Sequence, residues 1–300
     1  MRSQKEVEEE VQADEQALID RARAGDRSAT EALIRRHQRW IYNISLRMVG
    51  NLEEAEDLSQ EILIKAFRKI GTFEGRSGLR TWLYRIAVNQ YLSMRETEAE
   101  RYMRLDSDKW ANDAFVRDYF DSWEIDIKSY PPDLRLVAEE VRMKCILGML
   151  LCLGRRQRLV YILGDALMVG SKAGAAALGM SEACYRQTLS RARRRVRQFM
   201  EDRCGLVSPG KPCTCERNLA ACIGSGYVDP LHLAFSSKDA PRIRDTLDRV
   251  ARSLSDVACQ KCRELYWDLP LQDSPDFAGR VLSIVESNEM RFLLDVASGA

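Results

Sequence analysis

The sequence predicts an all-α protein: two helical domains joined by a linker, then a mostly helical and loop C-terminal extension that carries cysteines. Three observations predict it. Apolar residues recur at three-to-four-residue spacing, nothing between Ala17 and Arg203 alternates with period two over a strand's length, and glycine or proline clusters punctuate the helical runs. At 300 residues and 45% hydrophobic content, the chain exceeds what one core commonly serves and has apolar material for two or three domains.

Taken in order, residues 1–16 read as an acidic tail. Met1 to Asp20 carries two basic and seven acidic residues, a composition expected to be solvated and poorly ordered. The first domain spans 17–98, with helices expected over 17–24, 29–49, 52–70 and 79–98, divided by Gly25-Asp26, Gly50-Asn51 and Gly71 to Gly78. In the third of these, Leu58, Ile62, Ala66 and Lys69 share a stripe for the core, while Glu53, Glu56, Asp57, Gln60 and Glu61 are left on other faces. Residues 99–134 form the linker, because mixed charges and scattered aromatics end in Tyr130-Pro131-Pro132, and the residue before a proline avoids the α region. The second helical domain covers 135–203. From 204 to 300, glycines, prolines and cysteines break the periodicity, with weaker helical stretches expected near 240–266 and 275–295.

The formal net charge of +1 hides a change of sign along the chain. Tyr185 to Arg203 holds seven arginines against Glu201 and Asp202, and it follows the turn Leu178-Gly179-Met180-Ser181. A short helix, a tight turn and a second, basic helix form a helix-turn-helix, whose second helix enters the major groove of DNA. Ser181 is the expected N-cap. With Tyr185, Leu189, Val196 and Phe199 toward the core, Arg186, Gln187, Ser190, Arg191, Arg193, Arg194 and Arg197 face solvent or DNA. Arginine suits phosphate contacts and bidentate reading of guanine alike.

A second constellation lies at Gly71 to Arg85. A glycine loop flanked by Arg76, Arg80, Arg85, Phe73, Trp82 and Tyr84 offers cations for phosphates and rings for unstacked bases, although the same aromatic spacing also suits a core. No apolar run reaches the roughly 18 residues of a membrane span, and the N-terminus lacks a signal peptide's hydrophobic stretch, so a cytoplasmic protein without a membrane partner is expected. In a reducing compartment the nine cysteines read as metal or redox groups rather than disulfides. Cys204, Cys213, Cys215 and Cys222, spaced C-x8-C-x-C-x6-C, could close around zinc or another thiophilic metal. Cys259 and Cys262 add a C-x-x-C pair for further ligands or a redox couple. Cys145, Cys152 and Cys184 read as core, and His232 stands apart from the cluster.

Ala55-Glu56-Asp57-Leu58-Ser59-Gln60-Glu61, then Lys65 to Lys69, then Leu79 to Asn89 and finally Arg95 resemble conserved region two of bacterial sigma factors of the extracytoplasmic-function class. Ser190-Arg191-Ala192-Arg193 resembles the end of that family's region-four recognition helix, and the two regions together cover about half the chain. The resemblance implies a dissociable subunit, not an enzyme, that binds core RNA polymerase, recognises two promoter elements and helps to open the duplex. It implies that Asp57, Gln60 and Glu61 dock on the clamp helices of the polymerase's largest subunit. The minus-ten element, with its melted non-template strand and a flipped base, falls to Arg76, Arg80, Trp82, Arg85 and Asn89. The duplex minus-thirty-five element falls to Ser181, Arg186, Gln187, Ser190, Arg191, Arg193 and Arg194. No cofactor is required for this role, and an anti-sigma factor is a further partner.

The chain departs from the family where Ala173-Gly174-Ala175 stands in place of the usual Glu-Ile-Ala, and where Leu151-Cys152-Leu153-Gly154 replaces a Leu-Pro pair. A glycine inside a helix costs about 1 kcal/mol relative to alanine. Two other classes compete with this reading. One is a stand-alone helix-turn-helix repressor or activator whose first block dimerises or binds a ligand. The other is a metal-dependent nuclease or thiol oxidoreductase, which would have only His37 and His232 to work with and no βαβ context for its C-x-x-C pair.

Overall fold

The computed structural model describes residues 4–97, 100–101, 112–123, 134–235 and 272–286. In chain order its helices are α1 (Gln4–Arg23), α2 (Arg27–Val49), α3 (Leu52–Arg68), α4 (Leu79–Ser93), α5 (Asp113–Asp121), α6 (Leu134–Met149), α7 (Arg155–Tyr161), α8 (Ser171–Leu178), α9 (Glu182–Arg203), α10 (Leu219–Gly224) and α11 (Phe277–Glu286). Among the described residues the only β pairing is an isolated bridge between Cys204 and Cys213. None of these helices is long and apolar enough to cross a membrane. The chain forms two units, Met1–Ser93 with Leu271–Ala300, and Met94–Pro270. The extension from 204 to 300 is thus divided between them, because α11 packs against α2 and α3 in the first unit.

The first unit is built on α2 and α3. The Asp26 side chain accepts from the Ala29 N–H at 3.2 Å to start α2, Gly50 closes it at a left-handed φ of 77°, and the Asn51 side chain then caps α3. Leu58, Ile62 and Ala66 are buried as the stripe predicts, but Lys69 is exposed because α3 ends one residue before it. The acidic start is helical from Gln4 rather than an unstructured tail. Carboxylates early in a helix are favoured by its positive end, and Asp14 pairs with Arg36 of α2 at 2.5 Å. The buried His37 imidazole is held at about 4 by its burial and by Arg80 and Arg36, so it is neutral at pH 7 although Glu15 lies 3.2 Å away.

In the second unit the chain leaves helix at Ser93, short of the expected residue 98, and Arg155 takes the carbonyls of Met94 and Arg95 at 2.6 Å each. Glu100 then joins Arg155 at 2.6 Å and Arg158 at 2.7 Å. Burial alone would raise the Glu100 carboxyl, but hydrogen bonds from Arg155 and the Thr97 N–H, with Arg158 alongside, hold it at about 2. The expected linker contains α5, which forms because Val116 and Phe120 share a face and bury against Ala221. The remainder of the second helical block folds as α6 to α9, with a π-turn at Ile162–Ala166 after α7. The helix-turn-helix centres on Tyr185, fully buried, whose hydroxyl donates to the Val160 carbonyl at 3.3 Å. A Cβ at Gly174 would lie 2.6 Å from that ring. The glycine that departs from the family pattern makes room for Tyr185.

Two predictions follow from this packing. Helix propensity alone would make Gly174→Ala stabilising by about 1 kcal/mol, but the clash with Tyr185 should turn it into a net loss of about 1–3 kcal/mol, read from the denaturant midpoint of the second unit. Acid should act on the units in turn. A histidine kept neutral in the fold loses stability as pH falls from 6.5 towards 4, whereas the ionised Glu100 clamp loses its contribution from 4.5 towards 2. Hydrogen exchange at stepped pH is expected to show the His37 helix opening before the Glu100 clamp.

Candidate functional site

On α3 the acidic face lies where the sequence puts it: Asp57 and Glu61 are exposed and Gln60 is half-buried. One residue that sequence reasoning missed orients it. The Gln90 amide of α4, buried at the α3 interface, donates to Glu61 and accepts from Lys65. An amide on the core face of an otherwise apolar helix is the signal that would have found it.

The glycine loop and α4 divide the expected aromatic set. Phe73 and Tyr84 are buried, so they are core and cannot stack on bases; Phe73 meets Trp82 edge-on at 5.6 Å and Tyr84 meets Trp40 at 4.6 Å. Arg80 lies over the Trp40 ring at 5.2 Å, a cation–π contact that leaves its charge at the surface. Trp40 is the second residue the sequence reading missed. Trp82 is half-buried, while Arg85 and Asn89 are exposed. These three follow one another at i, i+3 and i+7, which places them on one helix face. Arg76 is exposed and pairs with Glu74 at 2.6 Å.

The helix-turn-helix runs α8, a left-handed Gly179 at φ 61°, then Ser181, whose side chain accepts from the Cys184 N–H at 3.2 Å to cap α9. Tyr185, Ala192, Val196 and Met200 are buried along α9, and Leu189 and Phe199 are half-buried beside them. On the outer face Gln187, Ser190, Arg191 and Arg194 are exposed, and Arg186 is exposed and pairs with Glu182 at 3.3 Å. Arg193 corrects the expectation. Its guanidinium forks onto the Asp165 carboxylate, at 2.9 Å from Nε and 2.5 Å from Nη2, and Asp165 has no solvent exposure. Arg193 therefore anchors the helix instead of reaching a base.

The cysteines converge more than their spacing suggests. Cys145 of α6, Cys204 and Cys213 of the loop after α9, and Cys222 of α10 line one mostly apolar cavity of about 370 Å3. Cys215 lies on an adjoining small hollow with Cys145, Cys204 and Cys213. Burial raises the Cys204, Cys213, Cys215 and Cys222 thiols, Cys213 and Cys222 to about 12, with neighbouring cysteines adding to the effect on both, whereas Cys145 is exposed. Among the described residues no three His, Cys, Asp or Glu side chains are grouped so as to hold a metal ion, so the expected Cys204, Cys213, Cys215 and Cys222 set is not closed into a coordination shell. Cys145 faces the cavity and Cys184 is exposed at the start of α9, so neither is packed core, while Cys152 is half-buried. His232 pairs with Asp229 at 2.8 Å. Cys259 and Cys262 lie outside the described residues.

An arginine-to-alanine pair separates anchoring from reading on α9. Arg193→Ala removes the forked partner of a buried carboxylate and is expected to destabilise the second unit by about 3–5 kcal/mol. Arg194→Ala should leave the melting temperature within about a degree but weaken duplex DNA binding and flatten its salt dependence. Calorimetry and a salt-titrated DNA binding assay check both.

Residues 33–101 match the family described as Sigma-70 region 2. The chain is 42% identical over 79 residues to the RNA polymerase sigma-H factor of Pseudomonas aeruginosa, covering 26% of this chain and 41% of that protein. It is 28% identical over 242 residues to the ECF RNA polymerase sigma factor SigG of Mycobacterium tuberculosis, covering 78% of this chain and 58% of that protein. It is 40% identical over 78 residues to the ECF RNA polymerase sigma-E factor of Escherichia coli K12, covering 26% and 40%. The chain spans about half the length of the curated relatives it matches. Among solved structures, the sigma factor RpoE in complex with the anti-sigma factor NepR from Bartonella quintana overlaps 57% of this chain at 21% identity and a TM-score of 0.38, a superposition too loose to add to the sequence likeness.

Proposed function

We propose that this chain, which is similar to extracytoplasmic-function sigma factors of the sigma-70 family over residues 33–101 and more loosely beyond, is an initiation factor that binds core RNA polymerase, directs it to promoter DNA and helps to melt the duplex. The observation that carries this reading is the region-two match over residues 33–101 coinciding with an exposed acidic face at Asp57 and Glu61. In it, Asp57, Gln60 and Glu61 engage the clamp helices of the largest subunit. Arg76, Arg80, Trp82, Arg85 and Asn89 hold the minus-ten element and its separated non-template strand. Ser181, Arg186, Gln187, Ser190, Arg191 and Arg194 meet the minus-thirty-five duplex. The role needs no catalytic group and places the protein in the cytoplasm with its polymerase. A stand-alone repressor leaves the region-two match without a purpose.

Regulation is assigned to the extension, either alone or with an anti-sigma factor. A thiophilic metal such as zinc is its proposed effector, supported by five thiols around adjoining hollows. Four of these, Cys204, Cys213, Cys215 and Cys222, are held protonated by burial, which disfavours their direct oxidation, since the thiolate is the reactive form. Cys213→Ser with Cys215→Ser is expected to abolish any metal response of promoter-dependent transcription; an unaltered response would remove the metal from the reading.

The central test mixes the purified protein with core RNA polymerase, follows co-elution on a sizing column and probes strand opening on a promoter. The wild type should co-elute and open DNA. Asp57→Arg with Glu61→Arg should weaken polymerase binding at least about tenfold, a change of about 1.4 kcal/mol, while retaining duplex binding. Tight duplex binding without polymerase binding by the wild type would overturn the proposal in favour of a repressor.

A further inference from the structure

In the first unit the segment ending in α11 is held on α2 by a set of matched contacts. Asn43, midway along α2 and 1% exposed, grips the Gln272 backbone both ways: its Oδ1 accepts from the Gln272 N–H at 2.9 Å and its Nδ2 donates to the Gln272 carbonyl at 2.9 Å. Gln38 Oε1 accepts from the Phe277 N–H at 3.2 Å, satisfying a donor that the first turn of α11 leaves orphaned. Arg35 meets Asp276 at 3.1 Å and Arg39 meets Asp273 at 3.7 Å. Behind this polar rim Phe277, Ala278, Val281 and Leu282 are buried, an amphipathic stripe whose Phe277 ring lies 6.2 Å from Tyr42.

The same helix reaches the proposed polymerase face. Arg280 of α11 lies 3.9 Å from Glu56 of α3, and Glu56 adjoins Asp57 in sequence and Gln60 one helical turn on. A helix with its side chains is about 10 Å across, so α11 borders the acidic face at Glu56 while Asp57 and Glu61 stay exposed, and a polymerase element seated across that face would meet it. Arg280 also presents a cation to the acidic surface, the chemistry that a polymerase contact would bring.

We propose that α11 is an internal competitor: the α2–α3 face holds either the chain's own C-terminal helix or core RNA polymerase, and not both. The inference rests on the polymerase-binding reading above and names its regulation. With the face occupied, only the undocked fraction is competent, and the apparent polymerase affinity falls by that fraction. The acidic flank of α11, Asp273 and Asp276, matches Arg35 and Arg39 and sets the docking register, while Asn43 makes it specific for a bare peptide group.

The test uses the full-length protein with Phe277→Asp, which puts a charge into the buried seat without touching Asp57, Gln60 or Glu61, and Phe277→Leu as the conservative control. Affinity for core polymerase is measured by fluorescence titration, and hydrogen exchange of 38–43 and 277–286 reports docking. Phe277→Asp should bind polymerase at least about tenfold more tightly with α11 released, Phe277→Leu should resemble the wild type, and saturating polymerase should release α11 from the wild type. If Phe277→Asp opens α4 as well, the surface variant Asp276→Lys replaces it, with a two- to threefold expected gain. Unchanged or weaker affinity with α11 released, or wild-type polymerase binding with α11 still docked, overturns the competition while leaving the polymerase role intact. Failure of every form to bind polymerase overturns both.

Discussion

The orientation of the arginine helix depends on one buried carboxylate. Asp165 sits in the π-turn between α7 and α8 with no exposure to solvent, and a lone charge there would cost several kcal/mol. Arg193 neutralises it through a forked, two-point contact, which fixes rotation as well as position. Tyr185 locks the same helix two turns nearer its N-terminus, filling the notch left by Gly174 and donating to α7. With the helix held at these two points, Arg186, Gln187, Ser190, Arg191 and Arg194 have one outward direction to take. One arginine given up to the interior thus aims the others.

The first unit follows a related logic with polar rather than ionic anchors. Asn43 would be costly to bury unmatched in the middle of a helix, and its match is a peptide group more than two hundred residues away in sequence, at 2.9 Å in both directions. A side chain that satisfies both a donor and an acceptor of one residue selects a backbone register, which apolar packing alone cannot do. The C-terminal segment therefore belongs to the fold of the first unit, beside the acidic face of α3, and the extension has two separable parts with different neighbours.

The other part gathers cysteines from α6, the loop after α9 and α10 around an apolar cavity. Because burial holds the Cys204, Cys213, Cys215 and Cys222 thiols protonated, any ligand that binds through those sulfurs must displace protons, so its affinity would rise with pH. The protonated state also makes the group less responsive to oxidants than exposed thiols on a basic surface would be. The proximity of Cys145 to the other four is set by the packing of α6, and nothing in the local pattern around Cys145 marks it.

Helical period, glycine punctuation and the uneven charge of the chain determined the all-α class, the second, third and fourth helices within about five residues, the helix-turn-helix and its Ser181 cap, because each is written in residues close together in sequence, whereas the first helix begins at Gln4, inside the expected acidic tail. The exposed Asp57 and Glu61, and the outward arginines of α9, were legible for the same reason: a helix face is a local property. Tertiary structure alone decided which members of those sets are available. Arg193 differs from Arg194 only in having Asp165 opposite it; Phe73 and Tyr84 differ from Trp82 only in what packs over them; α5 forms inside an apparent linker because Ala221 covers Val116 and Phe120. The docking of α11 on α2 and the meeting of the thiols join residues far apart along the chain. Such pairings depend on partners that local periodicity does not encode, and desolvation, which the fold imposes, decides whether a charge or a ring becomes an anchor or a contact.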